Sequence, residues 1–164
     1  ALRPVWVLTA QSLPLTALQS ATAIIAGVTR IAVVADDLIW ASRLTDAVRR
    51  AGAEPRRLSA AALADEGVAL DSGVRHAQTD VAATDGCDGA IVDTALMTAD
   101  PMVVIAALQG LGLRVLALAN HDDVALRKRA LAAGAGKVLA YRKLHDDGPA
   151  TIAAWMDRPV DVGR

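Results

Sequence analysis

The chain has no phenylalanine, one tyrosine and three tryptophans, so aromatic residues make up only 2% of its 164 residues. Hydrophobic residues nevertheless reach 54%. A core of this composition must be aliphatic, drawn from alanine, valine, leucine and isoleucine, and such small side chains let helices pack closely on a sheet. The length indicates one domain, or one domain with an extension.

The chain also lacks an excess of charge of either sign. Its 17 basic and 18 acidic side chains give a formal net charge of −1. This balance predicts no general attraction to nucleic acid or to an anionic membrane, so DNA binding would need a local basic patch. We therefore expect protein partners, with no nucleic acid and no membrane among them.

Cysteine is almost missing, because Cys87 is the only one. One cysteine excludes an internal disulfide and fits a reducing compartment, which favours a cytoplasmic location. No histidine or basic residue lies close in sequence to activate the thiol. Cys87 is therefore predicted to be a small buried side chain and not a nucleophile.

The first 29 residues form a separate segment, which we interpret as an N-terminal extension. Leu13–Val28 is almost uncharged and follows Arg3, a pattern that faintly resembles a signal peptide. The run is about 16 residues long, which is short for a membrane-spanning helix of ~20. We expect a strand at Pro4–Thr9 and a helix at Leu15–Gly27 that packs on the domain or on a second copy.

From Thr29 onward, short apolar runs alternate with amphipathic segments, a pattern typical of βα units on a parallel sheet. Parallel strands are covered on both faces and therefore read as continuous apolar runs. Five strands are predicted, at Ile31–Ala35, Pro55–Leu58, Gly89–Asp93, Leu113–Leu118 and Val138–Ala140. Helices are predicted at Leu38–Ala51, Ala60–Asp65, Val74–Ala83, Pro101–Gln109, Asp122 or Asp123 to Ala133, and Asp147–Met156.

These units predict an α/β domain over residues 30–157, with a doubly wound sheet of order 2-1-3-4-5 and a C-terminal tail at 158–164. In such a sheet, function concentrates at the carboxyl ends of the strands. Asp36 and Asp37 follow the first strand, and Asp93 ends the third. Neighbouring strands lie ~4.8 Å apart, so the three carboxylates would converge if these strands are adjacent. Such oxygen ligands suit Mg²⁺.

Each of these acids also has a plainer interpretation. Asp37 is well placed to cap the helix that starts beside it, and Asp93 to lie in a polar turn. Asp100 precedes a proline and is better explained as a helix cap than as a ligand. His121, followed by two aspartates, is better explained as part of a loop and cap than as a metal ligand.

The order of these motifs resembles the receiver domain of bacterial response regulators. The likeness rests on the acidic pair after the first strand, on the run Ile91–Pro101 with its two aspartates, and on the Gly-Ala-containing segment Gly134–Leu139. It covers roughly Arg30–Trp155. The resemblance implies a flavodoxin-like fold, Asp93 as phosphoacceptor, and a Mg²⁺ site formed by Asp93 with the acidic pair Asp36 and Asp37.

Two positions depart from the receiver pattern. Receivers carry a serine or threonine at the end of the fourth strand, where this chain has Ala119. They carry a lysine at the end of the fifth strand, where this chain has Tyr141, with Lys143 two residues further along. Loss of the lysine removes the main counter-charge for a phosphoryl group. The two substitutions indicate a pseudo-receiver whose phosphorylation switch has been lost.

A basic run on the predicted fourth helix, Arg127, Lys128 and Arg129, is either a solvated face or a partner surface. In receiver-like domains this face commonly forms dimers or meets partners, which raises the second interpretation. Tyr141 and Trp155 would lie near the same surface, and aromatic residues are favoured interface anchors.

Three functions are carried forward. The first is a non-catalytic regulatory module, not an enzyme and with no cofactor, that acts through a protein partner or as a homodimer. The second is a phosphoacceptor receiver phosphorylated on Asp93 with Mg²⁺. The third is a flavodoxin-like domain that binds a small molecule, and it has little support because the chain has no GxGxxG, GxxxxGK[ST] or GxSxG motif.

Overall fold

A computed structural model describes residues 28–65 and 84–157 of the chain. Four predicted segments lie outside the described residues: the strand at Pro4–Thr9, the helices at Leu15–Gly27 and Val74–Ala83, and the tail at 158–164.

Five parallel strands form the sheet of the described part of the chain. They are β1 (Arg30–Val34), β2 (Glu54–Arg57), β3 (Gly89–Asp93), β4 (Arg114–Ala119) and β5 (Lys137–Ala140). Their order is β2-β1-β3-β4-β5, and every neighbouring pair is parallel. This order confirms the predicted flavodoxin-like, doubly wound sheet. Each observed strand lies within one residue of its predicted bounds.

Helices cover both faces of this sheet. They are α1 (Leu38–Arg50), α2 (Pro101–Gly110), α3 (Val124–Ala132) and α4 (Tyr141–Met156), and residues 60–65 are also helical. Asp100 caps α2 through the Met102 N–H at 2.8 Å, and Asp123 caps α3 through the Leu126 N–H at 2.8 Å. Both caps satisfy backbone donors that would otherwise lack partners, and each contributes about 1 kcal/mol.

The last helix corrects one prediction, because α4 begins at Tyr141 and not at Asp147. Asp147 has non-helical backbone angles, φ −152° and ψ 49°, which kink the helix. The physical reason is Pro149, which has no N–H and whose ring crowds the preceding turn. The sequence pattern therefore identified only the second half of the helix.

The core consists of two aliphatic layers, one on each face of the sheet. Along β1, Ile31 and Val33 belong to the layer beneath α1 and α4, whereas Ala32 and Val34 belong to the layer beneath α2. This alternation follows from the two-residue period of a strand. Each fully buried aliphatic side chain of valine size or larger contributes about 1.5–3 kcal/mol. Within the described helices, no segment is both long and apolar enough to cross a membrane.

Candidate functional site

The strand register brings the candidate site residues to one edge of the sheet. Val34 pairs with Val92, so the residues after β1 lie beside the end of β3. Asp93 in turn pairs with Leu118, and Ala119 pairs with Ala140, the residue before Tyr141. The carboxyl ends of four strands therefore surround the predicted phosphoacceptor position.

Asp93 is a buried carboxylate, with only 1% of its surface exposed. Its Oδ1 accepts a hydrogen bond from the Ala95 N–H at 3.0 Å and a second from the Tyr141 hydroxyl. Its Oδ2 is the one buried side-chain polar atom in the described residues that has no hydrogen-bond partner. No cationic side chain of the described ranges forms an ion pair with Asp93. Within these ranges, the phenol of Tyr141 is thus its only side-chain partner.

Tyr141 reaches Asp93 because it is the first residue of α4, directly after β5. Its ring is half-buried and packs against the Trp40 ring of α1, with centroids 4.7 Å apart and planes tilted by 47°. Burial raises the pKa of the phenol above its ordinary value, and the hydrogen bond to Asp93 and the charge of that carboxylate raise it further. The side chain is therefore held as a neutral hydrogen-bond donor.

Asp36 holds the loop that follows β3. Its carboxylate accepts the Met97 N–H at 2.7 Å, the Thr98 N–H at 2.8 Å and the Thr98 hydroxyl at 2.9 Å. Partial burial would raise the pKa of Asp36, but the hydrogen bonds from Thr98 and Met97 outweigh it and lower the pKa. The ionised carboxylate is thus a fixed acceptor for this loop.

Asp37 caps a helix, whereas Asp36 holds a loop. Its Oδ1 accepts the Ile39 N–H at 2.8 Å and the Trp40 N–H at 2.9 Å, which makes it the N-cap of α1. The plainer interpretation of Asp37 as a helix cap is the one that the structure supports.

Comparisons with known proteins agree with this geometry. No protein-family profile and no curated protein match the chain. Among solved structures, the response regulator in red light signaling of R. palustris is 17% identical, with a TM-score of 0.60 over 84% of this chain and 97% of its own. A receiver domain protein of Methanospirillum hungatei is 18% identical, with a TM-score of 0.57 over 80% of this chain and 95% of its own.

A third similar structure is a protein of Burkholderia pseudomallei described as pilus assembly-related. It is 22% identical, with a TM-score of 0.56 over 81% of this chain and 94% of that one. The chain has the fold of response regulator receiver domains. At identities this low, the likeness concerns the fold alone.

The residues present do not form a ready Mg²⁺ site. Among the residues that the structure describes, no group of three or more His, Cys, Asp or Glu side chains is placed to hold a metal ion. Asp36 binds a loop, Asp37 caps a helix and Asp93 accepts from Tyr141. As arranged, this donor set does not fit Mg²⁺, and a metal role for the three acids stays a prediction.

The two substituted positions of the receiver pattern both lie at the site. Ala119 is the fully buried last residue of β4 and offers no hydroxyl there. The nearby hydroxyl of Thr94 donates to the Leu118 carbonyl at 2.5 Å and so serves the backbone of β4. Lys143 pairs with Asp147 at 4.0 Å within α4, and it forms no ion pair with Asp93.

The predicted interface residues differ in how much of their surface is exposed. Lys128 and Arg129 are exposed on α3, and Arg127 is half-buried and donates to the Val138 carbonyl at 3.5 Å. Trp155 is only 5% exposed and belongs to the core layer beneath α1 and α4, with the Arg114 guanidinium 5.4 Å from its ring centroid. Its side chain therefore offers little surface to a partner in this arrangement.

Sequence reasoning missed three residues of the site: Trp40, Thr94 and Thr98. Trp40 looked like an ordinary position of an amphipathic helix, and its contact with Tyr141 depends on where α4 begins. The two threonines carry the signal of polar side chains in the loop after β3. That signal does not reveal that the Asp36 carboxylate is the acceptor for Thr98.

Proposed function

We propose that this domain is a non-catalytic regulatory module that acts through protein–protein contact, with a receiver fold in which the phosphoacceptor position is engaged by tyrosine. The observation that supports this proposal is the hydrogen bond from the Tyr141 hydroxyl to Asp93 Oδ1. In the receiver pattern, a lysine occupies the position of this tyrosine.

Tyrosine and lysine differ in the charge that they bring to the phosphoacceptor position. A lysine ammonium carries a positive charge that offsets a phosphoryl group, whereas a neutral phenol supplies one hydrogen bond and no charge. The Tyr141 hydroxyl also engages Oδ1, one of the two carboxylate oxygens of Asp93. With Ala119 in place of a hydroxyl-bearing residue, no side chain remains at that position to sense a phosphoryl group.

The proposal includes a cytoplasmic location and either a protein partner or a homodimer. The similar proteins are described as response regulators and as a pilus assembly-related protein, which supports a regulatory role. The exposed cations Lys128 and Arg129 on α3 are candidate contacts. Light scattering over a range of concentrations tests the homodimer.

Intact mass after incubation with acetyl phosphate, with and without Mg²⁺, tests the loss of phosphorylation. A conventional receiver domain labelled in parallel serves as the positive control, and Asp93→Asn is the matched variant. We expect no phosphoryl adduct on the wild-type chain while its circular dichroism remains that of the folded protein. An Mg²⁺-dependent adduct that Asp93→Asn removes would refute the proposal.

Phosphorylation of Asp93 remains the second candidate function because of one specific observation. The Oδ2 atom of Asp93 is buried without a hydrogen-bond partner in the described residues, and a buried polar atom of this kind is costly to leave unsatisfied. An oxygen that attacks a phosphoryl donor would need to be free of hydrogen bonds, as Oδ2 is among the described residues. The same labelling experiment decides between the two functions.

A further inference from the structure

We infer that the groove between α1 and α4 is a docking site for an acidic peptide segment of a partner protein. This inference rests on the proposed function, because it gives a place and a chemistry to the protein contact. It assigns that contact to a surface other than the basic run on α3.

The groove lies where the two helices approach each other closely. At its floor, Ala47 of α1 and Gly148 of α4 are so close that a Cβ built on Gly148 would touch the Ala47 Cβ at 3.4 Å. The kink of α4 at Asp147 turns the helix at this point. The resulting groove has a volume of about 480 Å³ and is open to solvent, as a site for a peptide segment must be.

One wall of the groove is a stripe of α1 with a cationic character. Trp40, Arg43, Ala47 and Arg50 recur at the spacing of one helix face and all line the groove. The Arg43 guanidinium lies over the Trp40 ring, 5.3 Å from its centroid. The stripe thus combines two guanidinium groups, which bind carboxylates in a bidentate manner, with an indole that can cover an apolar side chain.

The charges around the groove leave these two arginines without a carboxylate partner. The Arg50 Nε donates instead to the Asp46 backbone carbonyl at 3.4 Å, and the Arg43 guanidinium packs on the Trp40 ring. Within the described residues, neither Arg43 nor Arg50 forms an ion pair with a carboxylate. The three acids of the groove each have another basic partner: Asp46 with Arg49 at 3.5 Å, Asp146 with Arg142 at 3.6 Å, and Asp147 with Lys143 at 4.0 Å. Two positive charges therefore remain for a ligand.

The same charge pattern selects a peptide over a nucleic acid. Asp46, Asp146 and Asp147 line the groove and would repel a continuous phosphate backbone. An acidic peptide can place its carboxylates on the arginines and keep them away from these aspartates. The Trp40 ring also touches Tyr141, so the groove lies one contact away from the Asp93 site.

Fluorescence anisotropy of a fluorescein-labelled decapeptide of alternating glutamate and leucine, titrated with the full chain, tests the inference. The decisive variant is Arg43→Ala/Arg50→Ala, and the matched control is Arg56→Ala/Arg57→Ala, which removes the same charge from exposed positions of β2. Lys128→Ala/Arg129→Ala tests the α3 surface as the alternative contact. We expect the groove variant to weaken binding at least tenfold and the control to change it less than twofold. Tryptophan emission should change on binding, and Trp40→Phe should remove most of that change.

Four outcomes would overturn the inference. They are no binding by the wild-type chain, equal weakening by the groove variant and the β2 control, weakening by the α3 variant alone, and self-association that the groove variant abolishes. The last would assign the groove to a second copy of the chain. None of these outcomes bears on the proposed loss of phosphorylation, because intact mass measures phosphorylation of Asp93 and not peptide binding.

Discussion

The ring of Tyr141 packs on the ring of Trp40 at 4.7 Å while its hydroxyl donates to the buried Asp93 carboxylate. A single side chain thus joins the acid at the edge of the sheet to the outer face of α1. In the receiver pattern a lysine would stand here, with a mobile charge and no ring. The tyrosine replaces that charge with a packed connection between the site and a helix surface.

Tyr141→Phe should lower the free energy of unfolding by about 1–3 kcal/mol. The variant keeps the ring contact with Trp40 but removes one of the two hydrogen bonds to a buried carboxylate. Urea denaturation measures the change.

A double-mutant cycle with Asp93→Asn isolates the bond between the two side chains. We expect a coupling free energy of about 1 kcal/mol or more, because the pair is in direct contact. Additive effects of Tyr141→Phe and Asp93→Asn would mean that the hydrogen bond does not form in solution.

The alkaline titration of the tyrosine provides a second test of the same contact. Tyr141 is the only tyrosine, so tyrosinate absorbance reports on this residue alone. Its pKa should lie above the ordinary value of 10.0 because of burial and of Asp93, and Asp93→Asn should bring it down. Since the folded-state pKa is raised, the stabilisation is present below about pH 10 and is lost as the pH rises through the folded-state pKa. If Tyr141 titrated with its ordinary pKa of 10.0 in the folded protein, the hydrogen bond to Asp93 would be contradicted.

The sequence predicted the sheet well because parallel strands leave a strong local signal. Buried on both faces, β1, β3 and β4 read as apolar runs, and a doubly wound sheet of order 2-1-3-4-5 accommodates the number of βα units. The start of α4 was not predictable in the same way. A kink at Asp147 before Pro149 looks like a helix start in the sequence.

The positions of the candidate acids could be predicted from the sequence, but their contacts could not. The acids after β1 and at the end of β3 lie at the same edge of the sheet, as adjacent parallel strands require. The partner of each acid depends on side-chain directions that no periodicity reveals: Asp36 turns to Thr98, and Asp37 turns to the first turn of α1. Convergence of strand ends is therefore not the same as convergence of carboxylates.

Asp36→Ala should destabilise the fold by about 1–2 kcal/mol, because two backbone N–H groups and a hydroxyl lose an ionised acceptor. Asp122→Ala is the matched control, since in the described part of the chain its exposed carboxylate pairs only with exposed His121. We expect the control to change the free energy of unfolding by less than about 0.5 kcal/mol. Equal effects of the two variants would show that the loop is not held by Asp36.

The stabilising effect of Asp36 should depend on pH. Its folded-state pKa is lowered from the ordinary value of 3.8, so its contribution is fully present above that value. The contribution is lost as the pH falls through the folded-state pKa. Urea midpoints of wild type and Asp36→Ala should therefore differ most above the ordinary pKa of 3.8 and converge as the pH falls through the lowered folded-state pKa. A difference that grows in acid would contradict the lowered pKa.

Two glycine-to-alanine variants should change stability in opposite directions. A Cβ on Gly89 would lie 2.7 Å from Cη2 of Trp155 and 3.1 Å from the Arg114 carbonyl oxygen. Neither the buried indole nor the strand backbone can move freely, so Gly89→Ala should cost about 1–3 kcal/mol. Gly110, at the end of α2, has no atom within 4 Å of a built Cβ, and Gly110→Ala should raise stability by up to about 1 kcal/mol. Thermal or urea denaturation measures both, and a neutral Gly89→Ala would mean that Trp155 does not close on β3 as described.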